Sequence, residues 1–335
     1  AIATLVFDSV SYENVVVNGL VLDEEGNKMS KSKGNTVEPF EVIDQYGADV
    51  VRWFMMSNAP PWENLRFSER GLRDLRRTFF GTLENVYSFF STYANIDGFR
   101  YPEDDGAPGP DGPRGEGESS PDDRRGRMPV AERPELDRWI ISRLHTTTQT
   151  VEAALDDYDP TTAARAVEDF VEELSNWHLR RSRSRFWASK KGEQNGQSRQ
   201  QSGGTVPAQK KEAAYQTVYE CLLATAKLMS PIAPFFGEWL YRVLTDGTDG
   251  EADSVHLASF PEVRPEERDE ALERRMGLAR TIASTTLSLR NQAEINVRQP
   301  LPRLLVVTGT GVPEAEGEKG KDVILDEVNV KDIEY

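Results

Sequence analysis

The chain has 335 residues, 56 of them acidic against 40 basic, and a formal net charge of −16. This length suits two or three separately packed units. The single cysteine excludes both an intrachain disulfide framework and a cysteine-rich zinc site, and no apolar run is long enough to span a membrane. The acidic balance disfavours nucleic-acid binding, unless the acidic residues lie on other faces or the protein works in high salt.

The chain is expected to lead from its first residues directly into a strand. An apolar, β-branched run at 15–22 is followed by the acidic turn 23–26, a pattern typical of a strand that enters a tight connection. Residues 28–36 then alternate three lysines with small polar residues. Lysines on a mobile loop can neutralise a polyphosphate while it is cleaved. Pro39 and the apolar spacing after it predict helices just past this loop.

Residues Lys28 to Ser32 spell KMSKS, followed by GN and then by YGAD. This wording resembles the class I aminoacyl-tRNA synthetases, in which such a loop closes over ATP. The resemblance implies that Lys28 and Lys31 bind the phosphates and stabilise the departing pyrophosphate. It also implies that Ser30 and Ser32 shape the loop and that Met29 packs against it. ATP, together with Mg²⁺ that takes no protein ligand from this chain, is therefore the expected nucleotide.

From Leu72 onward the apolar residues recur every three or four positions, which predicts a bundle of long helices. The predicted stripes are 72–90, 136–155, 163–174, 215–229 and a shorter one through 239–243. Pro231 and Pro234 are expected to end the fourth helix. Two stretches, at about 101–131 and 190–209, carry too few apolar residues to offset their ordering entropy, and we expect solvated insertions there.

A basic string, residues 175–187, follows the third helix and contains four arginines, three aromatic residues and no acid. Arginine forks suit phosphate oxygens, and aromatic rings can stack on unpaired bases. The string therefore predicts a nucleic-acid interface formed by Trp177, Arg180, Arg181, Arg183, Arg185 and Trp187. In the alternative interpretation, the aromatic residues belong to the bundle core and the arginines pair with nearby acids, namely Glu168, Asp169, Glu172 and Glu173.

The last part of the chain predicts a small α/β module. A helix at 276–289 leads to a strand at 304–307, and a second helix and strand are expected within 323–335. The single cysteine, Cys221, has apolar neighbours and is expected to be a core thiol. The three histidines stand isolated in the sequence, so we expect structural roles for them rather than catalysis or metal binding.

Three further stretches resemble the isoleucyl members of the family: E-N-L-R-F at 63–67, the basic string, and V-R-Q-P-L at 297–301. The resemblance implies a mainly α chain in three parts. Residues 1–60 would end a Rossmann-like α/β catalytic domain that carries the lysine loop. Residues 61–262 would form a helical-bundle anticodon-binding domain, and residues 263–335 would begin a carboxyl-terminal junction domain.

The implied activity is that of an aminoacyl-tRNA ligase. It would activate isoleucine with ATP and transfer it to tRNA-Ile, as a cytoplasmic monomer without membrane contact. The family's His-x-Gly-His element cannot be formed from these residues, so this chain is not expected to activate an amino acid alone. A valyl enzyme, a non-catalytic RNA-binding module that retains the loop, and an adenylating enzyme that uses no tRNA remain as alternatives.

Overall fold

The computed structural model describes five ranges of the chain, 2–101, 126–187, 208–246, 252–307 and 320–334. The two predicted insertions lie mostly outside these ranges. The described residues are mainly α-helical, as predicted, and form two compact units, Ala1–Pro265 and Glu266–Tyr335. None of the described helices is long and apolar enough to cross a bilayer.

The start of the chain differs from the prediction. Residues Ile2–Phe7 form helix α1, and the strand expected over 15–22 is reduced to β1, Val21–Leu22, which pairs in parallel with β2, Leu65–Arg66. Val15 and Val17 are exposed. A β-branched run becomes a strand only where a second strand satisfies its backbone groups, and β2 offers only two residues.

Two short helices follow the lysine loop, as the sequence predicts. Helix α2 covers Pro39–Tyr46, with proline at its first position, and helix α3 covers Ala48–Ser57. Gly47 joins them with φ at 91°, a backbone conformation that favours glycine over other residues.

The predicted bundle is confirmed. Its helical elements are α4 (Glu69–Leu75), a π-helical turn (Arg76–Phe80), α5 (Gly81–Asp97), α6 (Glu135–Asp156), α7 (Pro160–Glu172), a second π-helical turn (Glu173–Leu179), α8 (Arg180–Trp187), α9 (Ala208–Met229) and α10 (Pro234–Thr245). Helix α6 packs against α7 and α9. Helix α9 ends before Pro231, as expected. The third predicted helix does not stop at residue 174 but continues through the second π turn into α8.

Large apolar side chains fill the space between these helices. Trp139, Phe170, Tyr215 and Tyr241 are at most 1% exposed. Phe186 meets Tyr215 edge to face, with ring centroids 4.9 Å apart. Each such residue contributes about 1.5–3 kcal/mol by burial, so this core sets the positions of the helices that surround it.

The carboxyl end of α3 is fixed to the bundle by hydrogen bonds to its free carbonyl groups. The guanidinium of Arg165, on α7, donates to the carbonyl oxygens of Ser57 and Asn58, both at 2.9 Å. The Thr161 hydroxyl donates to the carbonyl of Met56 at 2.6 Å. Because the last carbonyls of a helix lack partners within it, these contacts hold the loop-bearing segment and the bundle in one unit.

A second set of contacts involves the YGAD stretch. The carboxylate of Asp49 accepts the backbone N–H of Phe236 in the first turn of α10, and Arg52 donates to the carbonyl oxygens of Pro231 and Ile232. Burial raises the pKa of Asp49, although the N–H groups of α10 oppose that rise. One of the stretches that carry the resemblance noted above thus also joins α3 to α10.

Glu220, on α9, belongs to a largely buried ion cluster. Its carboxylate accepts from the fully buried guanidinium of Arg133 at 2.7 and 3.1 Å, from Arg127 at 3.0 Å and from the Tyr101 hydroxyl at 2.7 Å. Burial alone would raise the pKa of Glu220, but the hydrogen bonds and positive charges of Arg133 and Arg127 together outweigh it and the pKa is lowered. Residues 126–131, at the end of the first predicted insertion, thus pack against the bundle.

The carboxyl-terminal unit contains helix α11 (Glu270–Gln292), strand β3 (Leu304–Leu305), helix α12 (Lys321–Val328) and strand β4 (Ile333–Glu334). The two strands pair in parallel, and α11 packs against α12. This arrangement confirms the predicted α/β module. Buried Arg290 holds its loops by donating to three carbonyl oxygens, those of Asn296, Gln299 and Asn329.

Replacing Glu220 with glutamine should lower the free energy of unfolding by about 3 kcal/mol at pH 7, because Arg133 is then left buried with its charge uncompensated. The lowered pKa stabilises the fold above the unfolded-state pKa of about 4.3, and this contribution disappears as pH falls through the folded-state pKa. The difference between the two proteins should therefore shrink below about pH 4. Denaturant unfolding at several pH values measures it.

Asp74→Asn is the matched control, because the Arg70–Asp74 pair is exposed on both sides, at 86% and 53%. Exposed pairs contribute little, so its unfolding midpoint should stay at the parental value. Equal destabilisation by both changes would contradict the role assigned to Glu220.

Candidate nucleotide-binding loop and nucleic-acid interface

The lysine loop lies exposed directly after β1. Lys28 pairs with Leu22 in a single antiparallel bridge, and Lys31–Lys33 form one turn of 3₁₀ helix. Gly34 ends that turn with φ at 68°, and its N–H donates to the carbonyl of Lys31 at 3.3 Å. The predicted phosphate ligands Lys28 and Lys31 are both exposed, so their ammonium groups are accessible to a polyphosphate.

The remaining residues of the motif shape the loop. The hydroxyl groups of Ser30 and Ser32 lie 3.2 Å apart, within hydrogen-bond distance. The Ser30 N–H donates to the side-chain amide oxygen of Asn35. Met29 is half-buried. These positions are compatible with the shaping roles expected of the serines and the packing role expected of Met29, which stay predictions.

One side chain outside the motif connects both ends of the loop. The amide oxygen of Asn35 accepts the N–H of Ser30 at 2.9 Å, and its amide nitrogen donates to Asp23 at 2.8 Å and to the Lys28 carbonyl at 3.3 Å. Asp23 also accepts the N–H of Asn27 at 2.6 Å. The hydrogen bond from Asn35 is the main cause of the lowered pKa of Asp23.

Sequence reasoning did not assign Asn35 or Asp23 a function. Twelve positions separate them, and each alone resembles an ordinary turn residue. A sequence feature that could have indicated them is an aspartate before the loop, Asp23, together with an asparagine directly after its glycine, Asn35. Such residues often bond backbone N–H groups in turns.

The basic string begins in the second π turn and continues as α8. Trp177 is buried in the π turn, whereas Arg180 and Arg183 are exposed and Arg181 is half-buried. Trp187, at the end of α8, is 60% exposed. The structure therefore places Trp177 with the bundle core, and it leaves three of the four arginines and Trp187 at the surface.

Two of these arginines lie over aromatic rings. The guanidinium of Arg181 is 5.4 Å from the Trp177 ring centroid, and that of Arg183 is 5.9 Å from the Phe89 ring centroid. Such cation–π contacts restrict a flexible side chain without neutralising its charge. Both guanidinium groups are therefore positioned by a neighbouring ring on this side of the bundle.

Arg185 differs from the other three arginines. Its guanidinium forms a bidentate pair with the Asp137 carboxylate, at 2.8 and 2.5 Å, and donates to the Lys210 carbonyl. His178 Nε2 lies 2.7 Å from the same carboxylate. Since an ionised carboxylate only accepts hydrogen bonds, the ring nitrogen is the donor in this contact. Burial alone would raise the pKa of Asp137, but the hydrogen bonds from His178 and Arg185 lower it to about 2.

The acids proposed as alternative partners of the arginines also have other contacts. Glu168 accepts from the Trp53 indole at 2.7 Å, and Glu173 accepts from Arg143 at 2.8 Å. The observed partner of Arg185 comes from α6 instead, 48 positions away in sequence. Sequence reasoning did not identify Asp137, because a charged residue in the first turn of a helix is usually a surface residue.

The other titratable residues fit structural roles. Cys221 is fully buried, and burial raises the pKa of its thiol well above the ordinary value, as expected of a core cysteine. His145 Nδ1 accepts the N–H of Arg264 at 3.4 Å. Within the described ranges, no group of three histidine, cysteine or acidic side chains is placed to hold a metal ion.

Two family models match the chain. The model "tRNA synthetases class I (I, L, M and V)" matches residues 1–68, which include the lysine loop. The model "Anticodon-binding domain of tRNA ligase" matches residues 137–305, about half of the chain. This range includes α8 and most of the bundle.

Curated relatives match along the whole chain. The isoleucine–tRNA ligase of Bacteroides thetaiotaomicron is 45% identical over 337 residues, which cover 100% of this chain and 26% of that protein. The isoleucine–tRNA ligase of Thermus thermophilus is 38% identical over 99% of this chain and 28% of its own length. The chain thus spans about a quarter of the length of these relatives.

A solved structure, the ternary complex of Agrobacterium radiobacter K84 agnB2 LeuRS with tRNA and LeuAMS, matches with a TM-score of 0.46 and 17% identity, over 93% of this chain and 29% of that chain. The family model over residues 137–305 and the relatives matched along the whole chain agree with each other. This chain therefore belongs to the class I tRNA synthetase family, of which it carries the anticodon-binding domain.

Proposed function

We propose that this chain is part of an isoleucine–tRNA ligase, in which it supplies the ATP loop and a tRNA-binding bundle. The observation that carries the proposal is the 45% identity to isoleucine–tRNA ligases along the entire chain, so that the loop and the bundle match the same protein. On the same basis we propose isoleucine, ATP and tRNA-Ile as substrates, and a monomer that acts in the cytoplasm.

The proposed role of the loop follows from its exposed cations. Lys28 and Lys31 would bind the phosphates of ATP and stabilise the negative charge that develops on the departing pyrophosphate. Mg²⁺ is expected to accompany ATP. The described residues include no suitable group of metal ligands, so we assign it no ligand in this chain.

Lys31→Ala, made in the full-length protein, should slow formation of the aminoacyl-adenylate about 10- to 100-fold, because one charge-assisted contact of roughly 1.5–3 kcal/mol is lost from the transition state. Amino-acid binding should change less. Pyrophosphate exchange measures the rate. Lys33→Ala, which removes an equal charge from the same turn, is the control, and equal slowing by both changes would contradict a specific role for Lys31.

Asn35→Ala in the full-length protein should slow adenylate formation about tenfold, because the loop loses the side chain that fixes Ser30 and Lys28. The KM for ATP should rise more than that for isoleucine. Asn27→Ala is the matched control, since the short contact of Asn27 with Asp23 uses its backbone N–H, which alanine keeps. An unchanged rate in Asn35→Ala would show that the loop does not depend on this amide.

The bundle is proposed to bind tRNA through the outer surface of α8. Arg180, Arg181 and Arg183 would contact phosphate oxygens, and the exposed ring of Trp187 would stack on a base or pack on a sugar. Arg185 and Trp177, which the sequence assigned to the same interface, lie toward the bundle interior.

Replacing Arg180, Arg181 and Arg183 together with glutamine should weaken binding of a tRNA-Ile transcript and reduce the slope of log K against log salt by about two. Filter binding at several salt concentrations measures both quantities. Replacing Arg70, Arg73 and Arg77 of the α4 region with glutamine removes the same charge elsewhere and is the control. If both triple variants give the parental slope, α8 does not contact phosphates. A tRNA-Val transcript tests specificity in the same assay.

A further inference from the structure

The inward face of α8 is defined by burial. Helical residues three, four or seven positions apart share a face. His178 and Ser182 are fully buried, and Arg185 is directed to the buried Asp137 carboxylate. Arg180, Arg183 and Trp187, spaced by three and four, are exposed on the other face. The rotation of α8 about its axis therefore decides which side chains reach solvent.

Two contacts to one carboxylate fix that rotation. Asp137, in the first turn of α6, is 0% exposed and meets His178 just before α8 and Arg185 near its end. These two residues are seven positions apart, or about 10 Å along a helix. A carboxylate that contacts both leaves α8 little freedom to turn. A rotation that releases Arg185 leaves buried Asp137 without its charged partner, and one that releases His178 costs the carboxylate a buried hydrogen bond.

Arg185 has no donor left for a nucleic acid. Its Nε donates to the Lys210 carbonyl at 3.0 Å, and its two terminal nitrogens donate to Asp137, Ser182 and Lys210. The side chain thereby ties α8 to both α6 and the first turn of α9. Arg183, by contrast, is exposed beside the Phe89 ring.

We propose that Asp137 is a positioning residue for tRNA binding, which sets the rotation of α8 through His178 and Arg185 so that Arg180, Arg183 and Trp187 face the tRNA. This inference rests on the proposed function of α8. It assigns Arg185 to positioning rather than to phosphate contact. The residue that orients the interface, Asp137, then lies on α6, whereas the interface itself lies on α8.

Two explanations of how Asp137 affects tRNA binding predict opposite changes in affinity when this residue is replaced. By simple electrostatics, replacing Asp137 with asparagine removes a negative charge beneath a basic helix, and tRNA should bind about twofold more tightly. By the positioning role, the same change frees α8, and tRNA should bind about tenfold more weakly with a smaller salt slope. The direction of the change therefore separates positioning from electrostatics.

The experiment compares four variants of this chain for binding of a tRNA-Ile transcript: Asp137→Asn, Arg185→Gln, the double variant and Glu220→Gln. Binding is measured well below the lowest unfolding midpoint, with helicity checked by circular dichroism. Glu220→Gln is the control, because it breaks a buried acid–arginine cluster whose three donors to Glu220 lie outside α8, namely Tyr101, Arg127 and Arg133. It should lower the unfolding midpoint but keep tRNA affinity within about twofold.

We expect the two single variants and the double variant to share one binding defect of about tenfold, since all three break the same connection. Parental or tighter binding by Asp137→Asn would overturn the inference, and so would additive defects in the double variant. Should Asp137→Asn not fold, the double variant decides, because it removes one charge of each sign and leaves no lone charge at this site. Electrostatics then predicts parental affinity, whereas positioning predicts binding about tenfold weaker.

The arginine variants distinguish this failure from that of the proposed function. If the triple change of Arg180, Arg181 and Arg183 weakens binding and reduces the salt slope while Asp137→Asn binds normally, only the positioning role is wrong. If the triple variant binds tRNA like the parent, the interface itself is wrong and the inference falls with it.

Discussion

The pairing of buried carboxylates with arginine side chains is the interaction on which this structure depends. A carboxylate removed from water is stable only if its charge is paired and its oxygens are hydrogen-bonded. Asp137 and Glu220 meet this condition with arginines that come from distant parts of the sequence. Each pair joins a helix to a segment distant in sequence, and loss of either partner would leave a buried charge uncompensated.

The same interaction bears on the charge of the chain. A net charge of −16 opposes the approach of a polyanion. Asp137, however, contributes little negative charge to the surface of α8, because its oxygens face His178 and Arg185 inside the bundle. The exposed residues of α8 include arginines and no acid. Asp137 therefore lies beneath α8 without adding an exposed carboxylate to the surface of that helix.

Sequence patterns anticipated the bundle helices, the carboxyl-terminal α/β module and the exposed lysine loop, because helical periodicity and proline positions are local signals. They failed where the outcome depends on distant partners. The run at 15–22 has strand composition but pairs over only two residues. The π turn at Glu173–Leu179 breaks the 3.6-residue period, so residues beyond it change face in a way that the preceding pattern does not indicate. Arg185 resembles its neighbours in sequence, and only Asp137 makes it different.

The two candidate sites rely on one polar side chain each, but in opposite environments. Asn35 fixes the lysine loop through exposed or half-exposed hydrogen bonds, which contribute little net stability because water competes for each donor and acceptor. Asp137 fixes α8 from a fully buried position, where breaking either contact is costly. Local unfolding occurs most readily where the contacts that must break contribute the least free energy. The loop is therefore the part that can move at low cost, as the proposed closure over ATP would require, whereas buried contacts hold the orientation of α8.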